Sequence, residues 1–379
     1  KSIGNVDFIY ISHIHPDHFD VKFLKHYLSL FGPKKVIIAD HQPNFLAAKM
    51  RAYGIEPIIL SDKIVIGSTT LQILPHRTGS QSDIDSAILI KYVDKTSKIH
   101  CVVNANDIIF DEKMTLELCE MAGNVDILLC GYTGAGPYPQ TYYDEVDPQL
   151  PFEADKKKNN FFERYLKITS AVKAKVNIPF AGKYILGGRL AELNAFRGVA
   201  DPVEVLDFDK SAVILEDDGG EINTATLIPT KSRKNTYNTA DLESRINAIK
   251  GYKLDYEKLF NEDEIHQIPL KRLLSIAAKN ALLKSECEVD YYFCIEVGGG
   301  EYAVINANKN SSEKIQFKVL EDGLPTPRSL IKIDPRYLFG LLTHVYHWNN
   351  AEVGSLYQTR RMPNILNRQA QRFLNFLSV

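Results

Sequence analysis

Short apolar runs alternate with amphipathic stretches along the first half of the chain. Runs of β-branched and aromatic residues predict strands at 6–12, 36–39, 57–60, 70–74, 86–93, 98–104 and 125–130. Apolar positions at helical spacing predict helices at 19–30, 44–53, 111–121 and 156–175. Strands that alternate with helices indicate an α/β domain, and the short polar turn at 94–97 predicts an antiparallel hairpin within its sheet.

The pattern changes after the polar stretch 230–239 (TKSRKNTYNT). Helical patterns at 241–249 and 270–283 come first, followed by strand patterns at 290–297, 301–306 and 315–320 and by further helices near 336–342 and 369–377. The sequence therefore predicts two domains. An α/β domain covers residues 1–235, and a smaller α+β module covers residues 236–379.

Composition narrows the class of protein. Apolar residues make up 45% and charged residues 24%, typical of a globular chain, and 45 basic against 47 acidic residues give no overall attraction to nucleic acid or anionic membranes. The five cysteines form no C-x-x-C pair, and no apolar run reaches the roughly 18 residues that span a bilayer. We expect a cytoplasmic protein that binds neither nucleic acid nor membrane.

The candidate chemistry lies in the segment SHIHPDH at 12–18, between a predicted strand and a predicted helix. In extended backbone His13 and His15 point the same way, so both face one cation. Asp17 and His18 follow at the helix entrance and can face a second position. Nitrogen and oxygen ligands at this spacing suit zinc or iron, although histidines near a surface turn are the alternative.

Two later residues fit the same site. His76 follows the predicted strand 70–74, and Asp107 follows the predicted strand 98–104. Ligands of α/β sites gather at strand ends, so we predict both as metal ligands. Either residue taken alone would be read as a turn histidine or a capping aspartate. His41, also at a strand end, is assigned a structural role.

These residues resemble the motif of the metallo-β-lactamase superfamily, in which H-x-H-x-D-H and a later His and Asp bind one or two metals. The resemblance implies an αββα sandwich. It also implies that His13, His15 and His76 bind one ion, that Asp17 and His18 bind a second, and that Asp107 lies between them. Two departures stand out: no histidine closes the second site at 178–183, and no strands precede the motif strand. We therefore expect that Lys1 is not the natural start.

Within the superfamily, the segments FIYISHIHPDH (8–18), GYTGAGPYPQTY (131–142), PFAG (179–182) and GSLYQTR (354–360) resemble the non-Rieske portion of CMP-N-acetylneuraminate hydroxylases. That resemblance implies a nucleotide-sugar substrate and an electron-donating Rieske centre, whose paired Cys and His motifs this chain lacks. Lys183 and Arg189 follow PFAG and are candidates for an anionic substrate. Tyr138 either lines a substrate pocket or has only a packing role within the protein.

The leading prediction is a metal-dependent hydrolase in which metal-bound hydroxide attacks a polar, anionic substrate such as a nucleotide sugar. Asp107 would orient one or two divalent ions, zinc or iron, and Asp17 would be a second ligand or the proton acceptor. One alternative is an iron-dependent N-acyl hydroxylase that needs a Rieske-type electron donor. The other is a non-catalytic binding module that has kept the fold.

Overall fold

In the computed structural model, strands and helices alternate over the first half of the chain as the apolar pattern predicts. The structure describes residues 4–79, 83–180, 182–216, 219–312, 315–319 and 323–379. Two compact units share the chain. The first comprises Lys1–Gly134, Lys158–Lys183 and Ala200–Tyr237, and the second comprises Ala135–Lys157, Tyr184–Val199 and Asn238–Val379. The prediction had a single cut after residue 235, whereas two earlier segments also belong to the second unit.

Two sheets form the first unit. The first sheet holds three parallel strands in the order β1-β2-β3: β1 (Phe8–Tyr10), β2 (Lys35–Ala39) and β3 (Ile58–Leu60). The second sheet holds six strands in chain order: β4 (Ile64–Ile66), β5 (Thr69–Pro75), β6 (Ser86–Val93), β7 (Ile99–Asn104), β8 (Ile127–Gly131) and β9 (Val176–Phe180). Strands β4 to β7 are antiparallel neighbours, which confirms the predicted hairpin, and β7 to β9 run parallel.

Four helices accompany these sheets: α1 (Val21–Phe31), α2 (Phe45–Ala52), α3 (Glu112–Ala122) and α4 (Gln149–Val172). Helix α1 begins where the Asp20 carboxylate accepts hydrogen bonds from the amides of Lys22 and Phe23, at 2.9 and 3.0 Å. It ends at Gly32, whose φ of 76° favours glycine, and Pro33 follows. The Asp20 cap, two residues after the H-x-H-x-D-H loop, fixes where α1 begins.

The apolar side chains of the first unit arrange these elements in four layers. Helices α1 and α2 pack on one face of the first sheet, the two sheets meet face to face, and α3 with the later part of α4 covers the second sheet. Alternate residues of β2 supply opposite interfaces: Val36 and Ile38 face the helices, and Ile37 and Ala39 face the second sheet. The predicted α/β class with an αββα layer order is confirmed.

The second unit holds a mixed sheet and most of the remaining helices. Its five strands lie in the order β12-β11-β10-β13-β14: β10 (Tyr292–Gly298), β11 (Glu301–Asn306), β12 (Gln316–Val319), β13 (Arg328–Ile333) and β14 (Tyr357–Met362). Its helices are α5 (Thr239–Lys250), α6 (Asp255–Leu259), α7 (Leu270–Lys284), α8 (Pro335–Leu342), α9 (Trp348–Val353) and α10 (Arg368–Leu374). Short 3₁₀ helices occur at Gly188–Asn194 and Glu262–Gln267 here and at Pro202–Asp207 in the first unit. The predicted α+β character of this part of the chain is confirmed.

Several element predictions need correction. Helix α4 begins at Gln149 rather than at residue 156, because Pro151 lies in the first turn, where proline is tolerated. Strand β9 was not predicted, because it contains Pro179; it lies at a sheet edge. Strand β14 was missed because its charged sequence, YQTRRM, lacks the apolar alternation of a strand. Leu320, predicted to end a strand, lies outside the described residues.

No helix in the described part of the chain is both long enough and apolar enough to cross a bilayer.

Candidate metal centre

The loop that follows β1 carries the first imidazoles. His13 is buried, with 1% of its surface exposed, and its Nε2 lies 2.8 Å from Nδ1 of His15. The rings of His13 and His18 lie with their centroids 4.1 Å apart. Ser12 contacts Nδ1 of both His13 and His18 through its hydroxyl, at 3.1 and 3.0 Å. The loop therefore gathers three imidazoles into one cluster, as the H-x-H-x-D-H spacing predicts.

Asp107 brings a carboxylate to the same cluster from the end of β7. Its Oδ2 lies 3.3 Å from Nε2 of His18 and 4.0 Å from Nε2 of His13. Asn106 precedes it with a φ of 47°, a conformation that asparagine tolerates, and its amide donates to the Asn104 side chain. One ligand atom from each of His13, His18 and Asp107 lies within 4.8 Å of the others. Among the described residues, these three make up the group that could hold a metal ion, and they are called the triad below.

The contact between His18 and Asp107 shifts the pKa values of both side chains. The hydrogen bond to Asp107 raises the pKa of His18, and the same bond lowers the pKa of Asp107. Burial lowers the pKa of His15, and the neighbouring charge of His13 lowers it further. The cluster thus favours an ionised Asp107 and a neutral His15, which are the protonation states that bind a cation, whereas the raised pKa of His18 favours its protonated form, so a cation bound there displaces that proton.

Asp85 is a site residue that the sequence prediction missed. Its Oδ1 lies 3.3 Å from Nδ1 of His13, and the same oxygen accepts the amide of Ser86 at 2.8 Å. Metal-binding histidines commonly donate their second ring nitrogen to a carboxylate, which fixes the ring orientation. The available signal was the D-x-D pair of Asp83 and Asp85 that follows the His76 turn.

His76 lies after β5 with a carboxylate of its own. Its Nδ1 is 3.4 Å from Oδ1 of Asp83, and its backbone amide donates to the carbonyl of Asp85 at 2.8 Å. Hydrogen bonds from Thr78 and Gly79 hold the pKa of Asp83 below its usual range, although burial would raise it. His76 does not belong to the triad of described residues. Ser80, four residues after His76, lies outside the described part of the chain.

Two buried imidazole nitrogens near these carboxylates have no partner among the described residues. They are Nε2 of His76 and Nε2 of His41. His41 was assigned a structural role, yet the charges of Asp85, Asp83 and Arg77 act on it. A buried polar atom without a partner costs about 1–3 kcal/mol, so both nitrogens are suited to accept a ligand.

Asp17 occupies a different environment from the other predicted ligands. Its side chain is 77% exposed, and its Oδ2 lies 3.8 Å from Nε2 of His18. It stands beside the cluster rather than within the triad, so its predicted roles as ligand and as base stay predictions. The triad takes one histidine from each of the two implied ion sites, and Asp107 stands between them.

The donor set fits a divalent transition metal. Imidazole nitrogens and a carboxylate converge, His13 and His15 lie close enough to face one cation, and a buried nitrogen of His76 has no partner in the part of the chain that the structure describes. Zinc and iron bind such nitrogen and oxygen ligands. The residues therefore fit one ion at His13, His18 and Asp107.

The three predicted substrate residues have partners of their own. In the first unit, Lys183 pairs with the buried Asp201 at 3.3 Å. In the second unit, the Tyr138 hydroxyl donates to Glu153 at 2.6 Å, and Arg189 pairs with Asp334 at 2.6 Å while half of its side chain stays exposed. Their substrate roles stay predictions. Ala181, in the PFAG segment, lies outside the described residues.

Comparison with known proteins gives distant likenesses. No family model matches the chain. A protein of Mycolicibacterium smegmatis that carries the name Rieske 2Fe-2S iron-sulfur protein is 25% identical over 225 residues. The match covers 57% of this chain and 40% of that protein, so the chain spans well under half the length of this relative.

Solved structures give weaker likenesses. CmlA, a diiron β-hydroxylase from Streptomyces venezuelae, matches with a TM-score of 0.36 and 16% identity, over 55% of this chain and 43% of that one. A possible metal-dependent hydrolase from Veillonella parvula gives 0.35 and 11%, over 56% and 75%. The metallo-β-lactamase fold protein YhfI from Bacillus subtilis gives 0.28 and 15%, over 47% and 66%. At these TM-scores the likenesses add nothing to the layer order described above.

Proposed function

We propose that the first unit is a metal-dependent enzyme whose ion is bound by His13, His18 and Asp107, with His15 and His76 as further ligands. The convergence of imidazole and carboxylate atoms from the ends of β1 and β7 within 4.8 Å carries this proposal. When bound, a zinc or iron ion polarises the bond under attack and lowers the pKa of water toward 7.

The residues of the chain divide the remaining work. Asp85 orients the ring of His13 through Nδ1, which leaves Nε2 directed at the cluster. Asp107 adds negative charge and keeps His18 in position through their 3.3 Å contact. Asp17, exposed beside the cluster, accepts the proton from water in this proposal. Hydrolysis needs only these groups, the ion and water, so it is the reaction that the geometry supports best.

Arg77 supports an anionic substrate. It is exposed, adjoins His76, and has no ion pair among the described residues. A guanidinium in this position matches a phosphate or carboxylate group. Together with the predicted resemblance to nucleotide-sugar enzymes, it supports a nucleotide sugar as the substrate class.

The second candidate function is an iron-dependent oxygenase that draws electrons from a Rieske centre. The relative that carries the name of a Rieske protein favours it. The same histidines and carboxylate would hold iron. The 379 residues contain none of the paired Cys and His motifs of a Rieske centre, so the electrons would have to come from outside them.

A turnover assay separates the candidates. The protein, loaded with zinc or with iron, is incubated with CMP-N-acetylneuraminate and with UDP-N-acetylglucosamine, in air or without oxygen, and with or without a reduced Rieske protein. Zinc-supported hydrolysis without oxygen is the expected result. Hydroxylation that needs iron, oxygen and the donor would replace it with the second candidate. Unchanged metal content and ligand affinity in His13→Ala/Asp107→Ala would instead favour a binding module.

A further inference from the structure

The second unit contains a cavity of about 540 Å³ that the metal centre does not involve. Its floor is the face of the sheet that points away from the helix-covered core. Phe293, Ile295 and Ile331 face that core, so their strand neighbours Glu296 and Lys332 face the cavity. A volume of this size accommodates a small organic molecule.

The walls come from the two early segments that belong to this unit. Gln140 and Asp144 come from Ala135–Lys157, and Leu190, Leu193 and Phe196 come from Tyr184–Val199. The segment Tyr184–Val199 therefore offers the cavity an apolar patch beside the charged Arg189 and Glu192. Both segments come before residue 238 in the sequence, and their packing into the second unit completes the cavity.

Most charges at the cavity neutralise one another. Arg189 pairs with Asp334 at 2.6 Å. Arg360 pairs with Asp144 and also donates to the carbonyl of Thr141, at 3.1 Å. These guanidinium groups already have acceptors, so a ligand gains little from them.

Two opposite charges on the floor lack such partners. Lys332 and Glu296 have no ion pair or hydrogen bond from their side chains within the described ranges, and both line the cavity. They lie on adjacent parallel strands, one residue beyond the paired Ile295 and Ile331. The floor therefore presents one ammonium group and one carboxylate from neighbouring strands.

We propose that this cavity binds a small zwitterion of the amino-acid type with an apolar side chain. Its carboxylate pairs with Lys332, its ammonium group donates to Glu296, and its side chain packs on Leu193 and Phe196. A plain anion would leave Glu296 unsatisfied. A neutral sugar would leave Lys332 without an anionic partner. This inference is independent of the proposed metal chemistry.

Calorimetry on the full chain tests the proposal with L-leucine and two matched probes. N-acetyl-L-leucine lacks the ammonium charge, and L-leucinamide lacks the carboxylate. We expect L-leucine to bind saturably at one equivalent and each probe to bind at least about tenfold more weakly. Lys332→Gln should weaken L-leucine binding by a similar factor, and so should Glu296→Gln.

Lys284→Gln is the matched control, because Lys284 is an exposed lysine of the same unit that lies outside the cavity. It should leave L-leucine binding unchanged. Absence of saturable L-leucine binding would overturn the proposal. Equal binding of N-acetyl-L-leucine would also overturn it, since it would indicate a simple anion site, and so would equal binding by Lys332→Gln and Lys284→Gln.

Discussion

The two units differ in how many of their site side chains already have hydrogen-bond or ion-pair partners. At the candidate metal centre of the first unit, His13, His18 and Asp107 converge, and a buried nitrogen of His76 has no partner among the described residues. At the cavity of the second unit, Arg189 and Arg360 form ion pairs with carboxylates, whereas Lys332 and Glu296 have no such partner within the described ranges. The first unit brings several ligand atoms together for one ion. In the second unit, the groups that could contact a ligand are spread over the floor and walls of the cavity, and each contributes a weaker contact. The metal centre is accordingly the more sensitive of the two to single substitutions.

The largest effect is expected from removing the triad. His13→Ala combined with Asp107→Ala deletes two of its three members, so metal affinity should fall by more than about 100-fold. Competition with a chromophoric chelator measures this. The far-UV circular dichroism spectrum serves as the control for folding. Retention of wild-type affinity by a folded double variant would show that the metal binds elsewhere.

The next effect concerns Asp85, which contacts the triad without belonging to it. Asp85→Asn keeps the shape of the side chain but removes the charge beside His13, so metal affinity should fall by about 10- to 100-fold. Asp94→Asn is the matched control, because Asp94 forms a 2.9 Å pair with the buried His100 in the same unit, away from the triad. Equal losses in both variants would argue against an orienting role for Asp85.

In the second unit, the carboxylate at Asp334 predicts a pH effect on stability. Burial would raise the pKa of Asp334, but hydrogen bonds from Arg336 and the charge of Arg189 hold it below its usual value. A lowered pKa in the folded state contributes stability above the unfolded pKa of about 3.9, and this stability is lost as the pH falls through the folded value. The urea midpoint should therefore fall between about pH 5 and pH 3, and less steeply in Asp334→Asn.

Trp348 reports this transition, since it is the one tryptophan of the chain and is buried in the core of the second unit. Following its fluorescence avoids treating the two units as one unfolding step. Parallel pH dependence in Asp334→Asn and the wild type would remove Asp334 from the explanation.

The smallest effect is expected at Lys183. Because its ammonium group pairs with Asp201, which is 4% exposed, Lys183→Met should destabilise the first unit by about 1–3 kcal/mol. Faster amide hydrogen exchange in β8 and β9 would measure it. Lys210→Met is the control, because Lys210 is exposed and bonds only a backbone carbonyl. A loss of substrate affinity at unchanged stability would restore the predicted substrate role of Lys183.

Residue patterns within short segments predicted the structural features that depend on local sequence. Apolar periodicity located α1, the β6–β7 hairpin and the α/β class, the resemblance carried by the H-x-H-x-D-H motif implied the αββα layer order, and the spacing of His13, His15 and His18 anticipated their cluster. Contacts between segments that are distant in the sequence were not predicted. Asp85 was missed because only the folded loop places it beside His13, and β14 was missed because its charged residues fit a sheet edge. The segments 135–157 and 184–199 joined the second unit through packing that no local pattern indicates.

The most direct test of the central claim is elemental analysis of the purified wild-type chain, combined with anomalous scattering from its crystals. The account predicts at least one equivalent of zinc or iron, with the anomalous peak among His13, His18 and Asp107. A folded wild-type protein that holds no more metal than His13→Ala/Asp107→Ala, even after incubation with zinc and with iron, would contradict it.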